Sequence, residues 1–336
     1  MIREAIAKLV NNEPLSHEEA HATLREIMAG EATPSQIASF ITALRIRGET
    51  PEVIAGSAKA MREHFTAVHP PSGIVVDTCG TGGDGANTFN ISTAAALVAA
   101  GAGIIVAKHG NRSVSSKSGS ADVLEALGVN IGVAPAVMEA CLQNIGIAFL
   151  FAPSLHPAMK YAIGSRREIG IRTIFNILGP LSNPASARYG VLGVYHRDLV
   201  LTMARAAEAL EIKHLFVVHG ADGLDEITTT TTTFIAEVTD GSVKSSEFDP
   251  REHGISFAKP ADLAGGDPTF NANLIHEILA GESGARRDIV CVNAAAAIIA
   301  GGKATQFEEA LEKARRSIDS GAAKQKLDQL VAATKA

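Results

Sequence analysis

Residues 77–120 read DTCGTGGDGANTFNISTAAALVAAGAGIIVAKHGNRSVSSKSGS, and this stretch decides the fold. The β-branched run Ile74-Val75-Val76 leads into a turn carrying Gly80, Gly82, Gly83 and Gly85. A helix of small residues, 92–102, follows the turn. Backbone without Cβ atoms can wrap an anion and point its N–H groups inward. The helix behind it adds free N–H donors and the positive end of its dipole, so phosphate is the natural ligand. A second apolar run, 103–107, ends in Lys108-His109-Gly110-Asn111-Arg112-Ser113, with Ser115, Ser116, Lys117, Ser118 and Ser120 close behind. Two successive strand-to-helix turns are therefore dressed for oxyanions.

The remaining chain supports crossover units around this stretch. The runs 147–151, 191–195 and 215–218 read as further short strands, with helices expected at 122–127, 135–143 and 199–210. Such alternation predicts an α/β fold with a mainly parallel sheet flanked by helices, and ligands at the carboxyl ends of its strands. The six threonines 228–233 are expected to form another strand, because threonine is β-branched. The first seventy residues hold helix signals only. Ser16 with Glu19 and Thr33 with Gln36 have capping-box spacing, and Pro34 and Pro51 follow Thr33 and Thr50 as first-turn prolines. The division is therefore a small helical N-terminal domain at 1–70, joined by a segment around 165–185, and an α/β domain at 71–336. From Pro260 the chain returns to helix, with an apolar, alanine-rich one at 292–300.

Composition limits function. The 336 residues carry 30 basic and 36 acidic side chains and no Trp, which gives no reason to expect a nucleic-acid partner. No apolar run approaches the roughly 20 residues of a membrane span, and the start has no signal-peptide core, so a cytoplasmic protein is expected. Cys79, Cys141 and Cys291 are far apart and form no CxxC pair.

The glycine turn matches G-x-G-x-x-G through Gly80, Gly82 and Gly85, a weak signal for a dinucleotide. Lys108 stands where the second strand would end in a ribose-binding acid, and the polar insert 86–90 delays the helix. A Walker A loop is excluded, since no Gly-Lys-Ser/Thr closes the turn. The adjacent Asp225 and Glu226 follow the strand 215–218. They read either as a solvated acidic turn or as carboxylates for Mg²⁺, which takes one or two of them together with substrate phosphates. By residue type alone Arg166 is a helix-surface arginine beside Arg167, or a planar fork for a carboxylate.

Taken together, 77–84 (DTCGTGGD), 90–93 (NIST), 108–112 (KHGNR), 118–125 (SGSADVLE), 164–167 (GSRR), 176–184 (NILGPLSNP) and 219–226 (HGADGLDE) resemble the anthranilate phosphoribosyltransferases over essentially the whole chain. The resemblance implies the nucleoside phosphorylase/phosphoribosyltransferase-like fold. It also implies transfer of a 5-phosphoribosyl group from 5-phosphoribosyl 1-pyrophosphate to the amine of anthranilate, in tryptophan biosynthesis, with magnesium. Carried over by motif, it puts the donor on Gly80, Gly83, Asp84, Thr88, Asn90, Ile91, Ser92, Thr93, Lys108, His109, Gly110, Asn111, Arg112, Ser113, Val114, Ser115, Ser116 and Ser120. Anthranilate falls against Gly80, Asn111 and Arg166, and magnesium on Ser92, Asp225 and Glu226. No covalent catalyst is implied; Lys108 and the metal stabilise the transition state. A homodimer through the helical domain is a further implication. Two alternatives stay open: a pyrimidine nucleoside phosphorylase-like glycosyl transfer, and a non-catalytic binder on the same scaffold. The Lys-His-Gly-Asn-Arg loop argues against the first, and Asp225 with Glu226 against the second.

Overall fold

The structure is a computed structural model that describes residues 1–113 and 117–335. Val114, Ser115 and Ser116, expected at the donor, lie outside the described residues.

Four helices open the chain: α1 (Ile2–Val10), α2 (His17–Met28), α3 (Pro34–Arg47) and α4 (Pro51–Arg62). Both expected capping boxes form, Ser16 with Glu19 and Thr33 with Gln36, and Pro34 and Pro51 start their helices as first-turn prolines. These caps satisfy N–H groups that no helical carbonyl can reach. Strands and helices then alternate: β1 (Val75–Gly80), α5 (Ile91–Gly101), β2 (Ile105–Gly110), α6 (Ser120–Ala126), α7 (Pro135–Asn144) and β3 (Ile147–Phe151). Short helices α8 (Ala152–Leu155), α9 (Lys160–Ile169) and α10 (Phe175–Leu178) precede β4 (Tyr189–Gly193), α11 (Leu199–Ala209) and β5 (His214–Gly220). An antiparallel pair, β6 (Thr233–Thr239) and β7 (Ser242–Phe248), is followed by α12 (Pro268–Leu279), α13 (Ala285–Ala300), α14 (Phe307–Asp319) and α15 (Ala322–Lys335).

The sheet order is β3-β2-β1-β4-β5-β6-β7, parallel from β3 to β5 and antiparallel beyond. The expected mainly parallel sheet is thus present, and its order reverses between β1 and β4. There the loops of neighbouring strands diverge and leave a crevice at the carboxyl ends.

Two apolar cores cover the two faces. Side chains alternate across each strand, so Val191 and Val218 join one core while Leu192 and Val217 join the other. The first core is filled by α5, α13 and the C-terminal helices. In the second, α1 to α4 pack with Ala162 of α9, Phe175 to Leu178 and α11. The segment after β3 therefore shares the core of the N-terminal helices. No described helix is long and apolar enough to cross a membrane.

The threonine run differs from expectation. Residues 228–232 form a turn, and β6 begins only at Thr233. Thr228 donates to Asp222 Oδ2 at 2.7 Å, Thr230 donates to the same oxygen, and the Thr228 N–H reaches Thr233 Oγ1 at 2.9 Å. Side-chain bonds of this kind compete with a strand ladder and here displace it. Strand β7 had no signal: its residues SVKSSEF are nearly all exposed at the sheet edge, so no apolar alternation marks them.

Candidate active site at the switch point

A cleft of about 260 Å³ opens where β1, β2 and the turn after β5 end. Its wall contains every donor residue expected from the sequence that the structure describes: the glycine turn with Gly80, Gly83 and Asp84, then Thr88, Asn90, Ile91, Ser92 and Thr93. From the second turn come Lys108, His109, Gly110, Asn111, Arg112 and Ser113, with Ser120, and from the third Asp225 and Glu226. Arg166 is not in this wall. It projects from α9 with its guanidinium 5.3 Å from the Phe175 ring centroid, and burial lowers its pKa.

Two polar side chains, the buried Asp77 and the half-buried Asn90, tie the cleft floor together. Asp77 accepts the His109 N–H at 3.1 Å and the Asn183 amide at 2.7 Å, and Asn183 also reaches the Ala107 carbonyl at 2.8 Å. Asn90 is fastened equally well. Its amide donates to the Ser118 carbonyl at 3.1 Å, and its oxygen accepts from Asn271 at 3.0 Å and Ser118 Oγ at 3.2 Å. Asn90 does not cap α5 with its side chain; the Ile91 N–H meets the Phe89 carbonyl at 2.8 Å, the Ser92 N–H meets Glu226 Oε1 at 3.2 Å, and the Thr93 N–H meets the Asn90 carbonyl at 3.2 Å, so what this helix end offers the cleft is the positive end of its dipole.

The carboxylates are held against the glycine turn. Asp225 Oδ2 accepts the Gly82 N–H at 2.8 Å. A Cβ on Gly193 would collide with the Asp225 carbonyl, and one on Gly80 with its Oδ2, so both glycines are needed for this approach. Asn293 of α13 accepts the Ile227 N–H and donates to the Ile227 carbonyl, both at 2.9 Å, which fixes the backbone beside Glu226. Each acid is partly exposed as a residue, yet its carboxyl sits deep. Burial, then the neighbouring Asp84, pushes Asp225 up to about 7; burial, then Asp225, pushes Glu226 up to about 8. Two crowded, desolvated carboxylates lack a full countercharge.

That electrostatic deficit is the fit for a hard cation. Asp225, Glu226 and the Ser92 hydroxyl are oxygen donors, and no group of three or more His, Cys, Asp or Glu side chains is gathered for a metal among the described residues. Two carboxylates leave positions for water and phosphate, the arrangement Mg²⁺ takes at substrate sites.

Several cations are already engaged. Lys108 is buried, donates to the Thr78 carbonyl and to Ser92 Oγ at 3.3 Å, and its pKa is lowered by burial. Arg112 bonds Asp122 at 3.0 Å and Glu125 at 2.9 Å, contacts its residue type did not disclose. His109 Nδ1 lies 3.2 Å from the Gly179 carbonyl and Nε2 lies 3.2 Å from His156 Nε2. Both ring nitrogens are occupied, so His109 lines the cleft as a neutral ring rather than as a free base. His219 meets the Val194 carbonyl at 2.7 Å and is structural. The Cys79 thiol is raised well above its usual pKa by burial and Asp77, which leaves no thiolate for covalent chemistry. One residue had no sequence signal: Arg172, whose Nη2 donates to the Thr81 carbonyl at 3.1 Å and whose charge partly offsets Asp225.

Known proteins share this architecture. The glycosyl transferase family a/b domain matches residues 72–324, and the helical bundle domain of that family matches residues 3–65. Anthranilate phosphoribosyltransferase of Acetivibrio thermocellus is 54% identical over 98% of this chain and 96% of its own. That of Pelotomaculum thermopropionicum is 55% identical over the same shares, 98% and 96%. Among solved structures, anthranilate phosphoribosyltransferase from Thermus thermophilus superposes with a TM-score of 0.94 at 42% identity, covering 99% of each chain. The Saccharomyces cerevisiae enzyme in complex with PRPP and Mg superposes with a TM-score of 0.91 at 29% identity, covering 99% of this chain and 98% of that one. With a glycine-lined cleft at the switch point and relatives matched from end to end, the chain belongs to the anthranilate phosphoribosyltransferase family.

Proposed function

We propose that the chain transfers the 5-phosphoribosyl group of 5-phosphoribosyl 1-pyrophosphate to the amine of anthranilate, giving N-(5-phosphoribosyl)anthranilate and pyrophosphate in tryptophan biosynthesis. One observation carries this reading: the glycine turn, the N-terminal end of α5 and two enclosed carboxylates face one another across a single cleft. The donor lies over Gly80 to Asp84 and Asn90 to Thr93, where backbone N–H groups and the α5 dipole receive phosphate oxygens. Residues 108–113 close the other side, and Ser120 with the neighbouring 114–116 completes the assignment.

Asp225, Glu226 and Ser92 Oγ hold magnesium, which when bound supplies positive charge to the diphosphate leaving group. Lys108, below Ser92, adds to that positive field and fixes the Ser92 hydroxyl. As the bond from C1 to pyrophosphate breaks, the sugar gains oxocarbenium character, and the anthranilate amine attacks from the opposite face. The aniline nitrogen is an uncharged nucleophile at neutral pH, so positioning rather than a side-chain base drives the step, and the nitrogen sheds one proton to water or to the departing pyrophosphate after the C1–N bond forms. Gly80 and Asn111 border the anthranilate position, and Arg166, on α9 outside the cleft wall, is the residue the resemblance assigns to its carboxylate.

The domain division stays at 1–70 and 71–336, with the 165–185 segment joining the helical part. A homodimer through the helical domain accords with Val10 and Ile46, 73% and 81% exposed on its surface. The cytoplasm is the expected compartment. The test is direct: mixing protein, anthranilate, donor and Mg²⁺ lowers anthranilate fluorescence in a magnesium-dependent way. Steady emission over hours at micromolar enzyme overturns the proposal.

A further inference from the structure

We infer that Arg172 is a positioning residue that holds the glycine turn 81–83 in its donor-binding shape from the helical side of the molecule. The inference rests on the donor assignment above. Arg172 lies in the link between α9 and α10, both of which bury side chains in the core of the N-terminal helices. Its guanidinium crosses from there to a loop of the sheet. The planar group lies 4.1 Å from the Tyr195 ring centroid, and Nη2 donates to the Thr81 carbonyl at 3.1 Å. Gly83 has a φ of 78°, and a Cβ there would collide with Nη1, so the arginine rests directly on the bare backbone of the turn. Tyr195 completes the clamp, since its own N–H reaches Thr81 Oγ1 at 3.1 Å. On the far side, Gly82 is fastened to Asp225.

Three consecutive residues of the turn are thus secured before any donor arrives. Glycine-rich backbone loses the most freedom when it is ordered, so a loop held in advance binds more tightly than one that orders on contact. The contacts explain why arginine is required. Its flat face stacks on Tyr195 while its fork still donates to Thr81, and a lysine ammonium can do only one of these at a time.

The experiment is a steady-state comparison of wild type, Arg172→Ala, Arg172→Lys, Tyr195→Phe and Tyr195→Leu, with calorimetric titration of inorganic pyrophosphate. Loss of a charged hydrogen bond and of the stacking raises the donor KM of Arg172→Ala by roughly ten- to hundred-fold. The KM for anthranilate stays within about twofold, and pyrophosphate binding weakens in parallel. Arg172→Lys recovers less than half of the loss, Tyr195→Phe matches wild type, and Tyr195→Leu falls between. Unchanged pyrophosphate affinity in Arg172→Ala overturns the inference, as does full recovery by lysine. Should Arg172→Ala fail to fold, Arg172→Lys and Tyr195→Leu carry the same comparison. Wild type that binds pyrophosphate but leaves anthranilate untouched counts against the proposed reaction alone, because the pyrophosphate titration judges the clamp without the acceptor.

Discussion

The paired histidines at the base of the cleft make stability depend on acid in a way that can be worked out from their contacts. The Gly179 carbonyl can only accept, so His109 carries its proton on Nδ1 and presents Nε2 as an acceptor. His156 must then donate from its own Nε2 across 3.2 Å. A second proton on His109 would set N–H against N–H in a buried space. Burial holds His109 down to about 3, with the nearby His156 as the next cause, and burial holds His156 down to about 4, against 6.5 for a free ring. Because the folded values are depressed, the stability contribution is complete above pH 6.5 and is lost as pH falls toward 4. At pH 5 the unfolded rings are protonated roughly thirty-fold in excess, which removes about 2 kcal/mol for each ring. Raised carboxyls such as Glu226 titrate in the opposite sense, so the assay must isolate the ring. His156→Gln keeps an amide donor toward His109 and cannot titrate. Urea unfolding followed by circular dichroism at pH 7, 6 and 5 should show the wild type losing about 2 kcal/mol more than His156→Gln between pH 7 and 5. Parallel curves for the two proteins would refute the assigned tautomers and the cost of protonating the pair.

Three substitutions probe the carboxylate turn. Glu226→Gln removes a buried carboxyl that is ionised in the unfolded chain but, with its pKa near 8, must take up a proton on folding at pH 7, so the metal-free protein should gain roughly 1–3 kcal/mol and about 2–5 °C in Tm while magnesium-dependent turnover disappears; a lower Tm in calorimetry without metal contradicts this. Asn293→Ala strips the partners from the Ile227 N–H and carbonyl, with an expected loss of about 1–3 kcal/mol by denaturant titration and a higher magnesium requirement. Gly193→Ala places a methyl on the Asp225 carbonyl; the variant should lose at least about 2 kcal/mol, and wild-type stability and turnover would show that the approach is not tight.

How much of this could be read from residues alone depends on where each signal resides. Parallel strands are buried on both faces, so 147–151 announced β3 residue for residue, and the glycine turn with its trailing helix located β1 and α5. The residues that the family resemblance assigns to the donor gather in one cleft because they sit at strand ends, where crossover topology brings them to one crevice. The threonine run was misassigned because propensity counts β-branching and not partners. Asp222, six positions before Thr228, recruits the hydroxyls and braces the turn that precedes β6. Arg112 shows the converse failure. Its place in the second loop was visible, but its pairing with Asp122 and Glu125 on α6 depends on a fold-back that spacing does not disclose. Arg172 had the weakest signal of all, since nothing local distinguishes it from Arg167. Only the bare Cα of Gly83, some ninety positions earlier, leaves room for its guanidinium, and a residue made functional by an absent side chain elsewhere has no signature of its own.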